Sequence, residues 1–196
     1  MADNGTNEVL LSGGKTHPPS FARQIQNAID NLNNALNDPL IIVSISEQQL
    51  ALIENKQISK TYPISSAKAG TGNQSGSYKT PLGKHKIAEK IGDGAEIGSI
   101  FKARINTHKL AQILTQPNQT SNADNITTRI LWLDGMEDGF NKGGDVDSYS
   151  RYIYIHGTDE EGLLGTPASH GCIRMGNLDV LELFGLVSVG DLVVIV

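Results

Sequence analysis

The chain has 196 residues, 38% of them hydrophobic and 19% charged, with a net charge of −5 and a single cysteine. That length suits one domain with a true apolar core and no need of disulfide or metal staples. The acidic balance argues against a broad nucleic-acid-binding surface, and a lone cysteine excludes an internal disulfide.

Residues 1–19 are polar, contain Gly13-Gly14 and Pro18-Pro19, and read as a tail or linker. Met1 to Glu8 has no basic cluster, and Val9-Leu10-Leu11 is too short for a signal segment or a membrane span. A cytoplasmic setting is therefore expected, or a periplasmic one if a leader has been removed. Ser20 is the expected cap of a helix over about 21–37, where Phe21, Ile25, Ala28, Ile29, Leu32 and Leu36 recur at helical spacing, and Asp38-Pro39 stops it.

From residue 40 the pattern turns to strands. Leu40 to Ile45 begins the series, and Gln49–Glu54 with Gln57–Ser65 predicts a hairpin turned at Glu54-Asn55-Lys56. A stretch rich in Gly, Ser and Thr runs from Gly70 to Gly83 and ends in Thr80-Pro81-Leu82-Gly83. Lys84–Ile91, Ile97–Ile105, Arg129–Leu133, Arg151–His156 and Leu192–Val196 read as further strands. Residues 106–127 read as a surface excursion with a short helix near Thr107 to Leu114, and Asn177 is the expected cap of a helix to Phe184, closed by Gly185. The sum is a mainly β domain with one or two packed helices.

The chemistry gathers near the carboxyl end. Cys172 lies in Ser169-His170-Gly171-Cys172-Ile173-Arg174, and His156 ends the predicted strand 16 residues upstream. A thiol needs help to lose its proton near neutral pH, and an imidazole is the usual helper. Gly171 lets backbone N–H groups converge on one point, as an oxyanion requires. His170, adjacent in sequence, is expected to line the pocket with Cys172. Two histidines and a cysteine are legitimate zinc ligands, but no fourth ligand is evident and the residues have a coherent role without metal. Papain-like and caspase-like signatures differ from this one.

The run His156-Gly157, then Ser169-His170-Gly171-Cys172-Ile173-Arg174-Met175, resembles the signature of the L,D-transpeptidase catalytic domain (YkuD family), and Thr80-Pro81-Leu82-Gly83 resembles its upstream Thr-Pro-x-Gly element. The resemblance covers about residues 40–196, with 1–39 outside it as a polar tail plus helix. It implies a β-sandwich-like catalytic domain acting on peptidoglycan stem peptides or muropeptides. The bond from the third residue's L-centre, often meso-diaminopimelate, to the terminal D-alanine would be cleaved through a thioester. It further implies Cys172 as nucleophile, His156 as base, and the Gly157 carbonyl as the base's orienter, a role any residue type can fill. His170 would be the second pocket histidine, and the Gly171 and Cys172 N–H groups the oxyanion donors. No cofactor is implied, and carbapenem-type β-lactams are expected inhibitors. Arg174 is expected to hold a substrate carboxylate, with Ser169 and Tyr154 also facing substrate. The expected cytoplasmic setting favours water as acceptor (L,D-carboxypeptidase, muropeptide recycling) over crosslinking by an amine.

Other residues have blander expectations. His17, His85 and His108 read as surface histidines, and Trp132 as core. Asp134, Glu137, Asp138, Asp145 and Asp147 read as a solvated acidic loop without calcium-binding spacing.

Overall fold

The computed structural model describes residues 19–32, 39–121 and 123–196. The expected tail, His17 and the end of the expected first helix lie outside the described residues. The helix α1 spans Pro19–Asp30. Ser20 is inside it rather than capping it, because Pro19, with φ preset and no N–H to satisfy, takes the first turn.

Ten strands follow: β1 Leu40–Ser44, β2 Gln49–Glu54, β3 Gln57–Ser65, β4 Gly83–Ile91, β5 Ser99–Lys102, β6 Ile105–Leu110, β7 Ile126–Gly135, β8 Tyr154–Thr158, β9 Ile173–Met175 and β10 Leu192–Ile195. A second helix, α2, spans Asn177–Leu186. All strands form one sheet in the order β4-β10-β1-β2-β3-β9-β8-β7-β5-β6, and β4 also pairs with β7. That pairing closes eight strands into a ring, leaving the β5–β6 hairpin attached to the start of β7. The two layers expected of a sandwich are thus two halves of one continuous sheet.

Strand alternation sorts the side chains. Ile41, Val43, Leu52 and Ile64 face Leu131, Leu133, Ile155 and Ile173 across the interior, and α2 adds Val180, Leu183 and Phe184 to the same core. Leu40, Ile42, Leu192 and Val194 point outward yet are buried, because Phe21 and Ile25 of α1 cover them. This double burial explains why β1 and β10 read as unbroken apolar runs. On the outer side of β7 and β8, Phe101, Ile130, Trp132 and Tyr154 form a third cluster, with Cys172 packed against it.

Three sequence expectations change. Ile97–Ile105 is not one strand. Ala103 and Arg104 adopt φ 47° and 69°, making a two-residue left-handed turn that folds β5 back into β6. β6 takes the place of the helix expected near Thr107. In addition, His85 is fully buried rather than superficial, with Nδ1 3.0 Å from the Gly83 carbonyl and Nε2 2.9 Å from Ser148 Oγ. The neutral ring suits both partners, donating to the carbonyl and accepting from the hydroxyl.

Burial lowers the His85 pKa from 6.5 to about 4. Between those values the unfolded chain binds the proton more strongly. The stability from keeping the ring neutral is therefore complete above pH 6.5 and lost as pH falls toward 4, by about 3 kcal/mol across the window. Urea unfolding at pH 7.5 and 4.5 should show that decline, and His85→Gln should remove the share due to His85, leaving that of any other buried neutral histidine.

Candidate active site

Strands β8 and β9 run parallel, with Ile155 opposite Ile173 and His156 opposite Arg174. Alternation then fixes the faces. Ile155 and Ile173 point into the core, while Tyr154, His156, Cys172 and Arg174 share the opposite, outer face. Cys172 precedes β9 and lies two residues along the register from His156, opposite Tyr154, so the two side chains are diagonal neighbours. Contrary to expectation, His156 lies within its strand rather than at the strand's end.

The Cys172 thiol is half-buried and donates to the Tyr152 carbonyl at 3.3 Å. Desolvation pushes its pKa up to about 11, outweighing a backbone hydrogen bond with Tyr154 and the cations Arg174 and Arg151, which act the other way. His156 is buried, and its Nδ1 lies 2.8 Å from the Gly157 carbonyl. A carbonyl only accepts, so Nδ1 carries the proton and Nε2 keeps its lone pair. Burial, assisted by Arg174, lowers this ring's pKa to about 4. The resting pair is a neutral thiol and a neutral imidazole, not an ion pair.

Gly157 is held to its residue type by space, not only by its carbonyl. A Cβ there would meet the Thr127 carbonyl oxygen at 2.7 Å and Asn177 Oδ1 at 2.9 Å. Asn177 knots this corner together. Its Oδ1 accepts from Thr127 and Thr128 at 2.6 and 2.5 Å, and its Nδ2 donates to the Thr158 carbonyl at 2.8 Å. Asn177 is therefore the first residue of α2 rather than its cap. Thr128, with φ 64°, is a left-handed β-branched residue held in place by these bonds. Gly157→Ala should cost about 1–3 kcal/mol. It should also lower the rate of Cys172 acylation through displacement of His156; thermal melts and intact mass measure the two effects separately.

The segment around Cys172 is shaped by hydroxyls. Gly171 adopts φ 134°, a backbone conformation that favours glycine at the turn between His170 and Cys172. Thr80 Oγ1 donates to the Gly171 carbonyl at 3.0 Å and accepts from the Ala67 N–H at 3.0 Å, so the Thr-Pro-x-Gly element anchors the nucleophile's loop. Ser169 is buried. It donates to the Cys172 carbonyl at 2.5 Å and accepts from the Gly171 N–H at 3.2 Å. Two expectations change accordingly: Ser169 closes a turn rather than facing substrate, and the Gly171 N–H is already engaged by its hydroxyl.

Arg174 also departs from its expected role. It is 2% exposed, with one terminal nitrogen 2.8 Å from Glu160 and the other 2.5 Å from Asp124. Both ends of the fork are neutralised, so a substrate carboxylate finds no free donor there. Asp124 continues outward to His170 Nδ1 at 2.7 Å, orienting a ring that is largely exposed and meets Tyr78 edge-on at 6.2 Å. Arg151 donates to the carbonyls of Asn73 and Lys79 at 2.8 and 2.7 Å, pinning the glycine-rich loop beside the cysteine. Tyr154 is buried beneath Trp132, while Tyr152, in a left-handed turn, is exposed. The sequence gives no sign of Asp124, Glu160 and Thr127 as site residues, and it marks Asn177 only as a helix cap. The two acids are unmarked among 21 acidic residues, and no local motif announces a partner that arrives from another loop. Among the described residues no group of three or more His, Cys, Asp or Glu side chains is placed to hold a metal, and no helix is long and apolar enough to cross a membrane.

The L,D-transpeptidase catalytic domain (YkuD) family model matches residues 38–195, which is most of the chain. The chain belongs to that family. Its fold is similar to L,D-transpeptidase 3 from Mycobacterium tuberculosis, solved with a faropenem-derived adduct, at 17% identity and a TM-score of 0.50 over 80% of this chain and 59% of that one. It is also similar to an L,D-transpeptidase from Mycobacterium smegmatis, at 18% identity and a TM-score of 0.48 over 81% and 58%. The chain thus spans under two thirds of the length of these solved relatives. No curated protein matches it.

Proposed function

We propose that this domain is a cysteine acyl-transfer enzyme acting on peptidoglycan tetrapeptide stems, releasing the terminal D-alanine through a thioester on Cys172 that water then discharges. The observation that carries this reading is the pairing on one sheet face of a thiol with an imidazole whose Nδ1 proton is locked on the Gly157 carbonyl, which leaves Nε2 as the basic nitrogen. As Sγ attacks the carbonyl carbon, His156 Nε2 takes the thiol proton, so the neutral pair becomes charged only along the reaction coordinate. Collapse of the tetrahedral intermediate breaks the C–N bond, and the His156 imidazolium returns the proton to the departing amine. Water, deprotonated by the same ring, attacks the thioester and regenerates the thiol.

An amine from a second stem or a free D-amino acid competes with water for the same acyl-enzyme, giving the L,D-transpeptidase outcome. Incubation with a meso-diaminopimelate tetrapeptide, with and without labelled D-methionine, separates the two by mass. Tripeptide and free D-alanine as the main products are expected. Labelled tetrapeptide exceeding tripeptide would overturn the hydrolytic reading, and absence of any acyl-enzyme would overturn the thioester.

A further inference from the structure

Two guanidinium groups act on the nucleophile, Arg174 and Arg151, and both are committed, while a third stands over the aromatic rings nearby. Arg174 is ion-paired at both ends, and Arg151 is bound to loop carbonyls. The third, Arg104, arrives from the tip of the β5–β6 hairpin. Its guanidinium carbon lies 4.9 Å from the centre of the Trp132 ring and 5.1 Å from that of Tyr152, with Tyr154 also beside it. Among the described residues no carboxylate lies within ion-pairing distance of it; Glu89 acts on it from farther away and accepts a hydrogen bond from the Tyr149 hydroxyl.

This arrangement adjoins the reacting sulfur. Tyr152 contributes the carbonyl that Cys172 Sγ bonds, and Tyr154 precedes by one residue the Ile155–Ile173 pair, as Cys172 does on the opposite strand. The aromatic rings fix the guanidinium plane, which preorganises its N–H fork for a planar anion. A cavity of about 470 Å³ adjoins Arg104, lined also by Asp93, Glu96, Phe101, Asn106 and His108. The hairpin turn itself places two non-glycine residues at positive φ, a strained conformation that delivers Arg104 onto the aromatic shelf.

We propose that Arg104 is a specificity-determining residue that receives the free terminal carboxylate of the donor peptide, so that the departing D-amino acid lies against the exposed Tyr152 ring. The proposal rests on the donor reading above, and it replaces Arg174 in the role the sequence suggested. An enzyme so built prefers a peptide ending in a carboxylate over the same peptide ending in an amide.

Trp132 is the only tryptophan, so its fluorescence reports on this shelf. The Cys172→Ala protein, titrated with the tetrapeptide and with its C-terminal amide, should bind the acid about tenfold to a hundredfold more tightly. Arg104→Leu in the same background should abolish that preference while leaving amide binding in place. Arg104→Lys, which keeps charge but not the planar fork, should restore part of it. With Cys172 present, the Arg104→Leu loss should fall mainly on KM for the acid. Equal loss for acid and amide, or an unchanged preference, would overturn the proposal. The titrations need no sulfur chemistry, so they fail or succeed independently of thioester formation.

Discussion

Cys172→Ala should abolish both turnover and the mass adduct formed with a carbapenem-type β-lactam, a loss of at least about a thousandfold. His156→Gln should slow acylation by about 10²–10⁴-fold while leaving the thiol in place. The neutral resting pair makes a sharper demand. With Cys172 near 11, thiolate is scarce at neutral pH, so simple alkylation by iodoacetamide should accelerate about tenfold per pH unit from 7 to 10. A thiolate–imidazolium pair would instead give a plateau through neutrality. For substrate acylation, the acid limb should fall near pH 4, where His156 gains its proton, instead of near 6.5. A plateau in alkylation at pH 6–8 would show a preformed ion pair and rule out the neutral-pair mechanism.

Arg174→Leu should be the most destabilising single change near the site, costing about 3–5 kcal/mol. The cost comes from what remains: Glu160 is 5% exposed, and Asp124 loses the cation that holds it. Glu160 also accepts from the Ser121 N–H at 2.6 Å, and Asp124 orients His170, so the ion-paired cluster ties Ser121 and Asp124 to the catalytic loop. Arg174→Lys should recover only part of the stability, because one ammonium replaces a fork that reaches two carboxylates. Urea midpoints of the two variants measure this. If Arg174 instead served substrate, Arg174→Leu would keep normal stability and show a raised KM for the acid-ended peptide.

The site residues differ in how far they could be read ahead. Cys172, His156 and Gly171 carry chemistry inside short motifs, where residue type and neighbours limit what each can do. Arg174 stands in the same motif, yet its role was misread, because its two partners come from positions 50 and 14 residues away in sequence. Gly157 was noted for a carbonyl any residue has. Its requirement for glycine comes from Thr127 and Asn177 on other elements. The sequence runs Ile97–Ile105 together as one strand and hides the turn into β6, because Ala103-Arg104 has none of the glycine or asparagine that usually marks a left-handed turn.

By itself the sequence determined the alternation that makes β strands, the helical spacing of Phe21, Ile25, Ala28 and Ile29, and the presence of a nucleophile with an imidazole a short distance upstream. Those signals are local, written in residue type and periodicity. Only the tertiary structure decided which face of β8 and β9 turns outward, that the sheet closes through β4 and β7, and that Arg174 is neutralised while Arg104 is left with no carboxylate within ion-pairing distance among the described residues. The physical reason is that charge compensation and desolvation depend on distance in space, and distant parts of the chain set that distance.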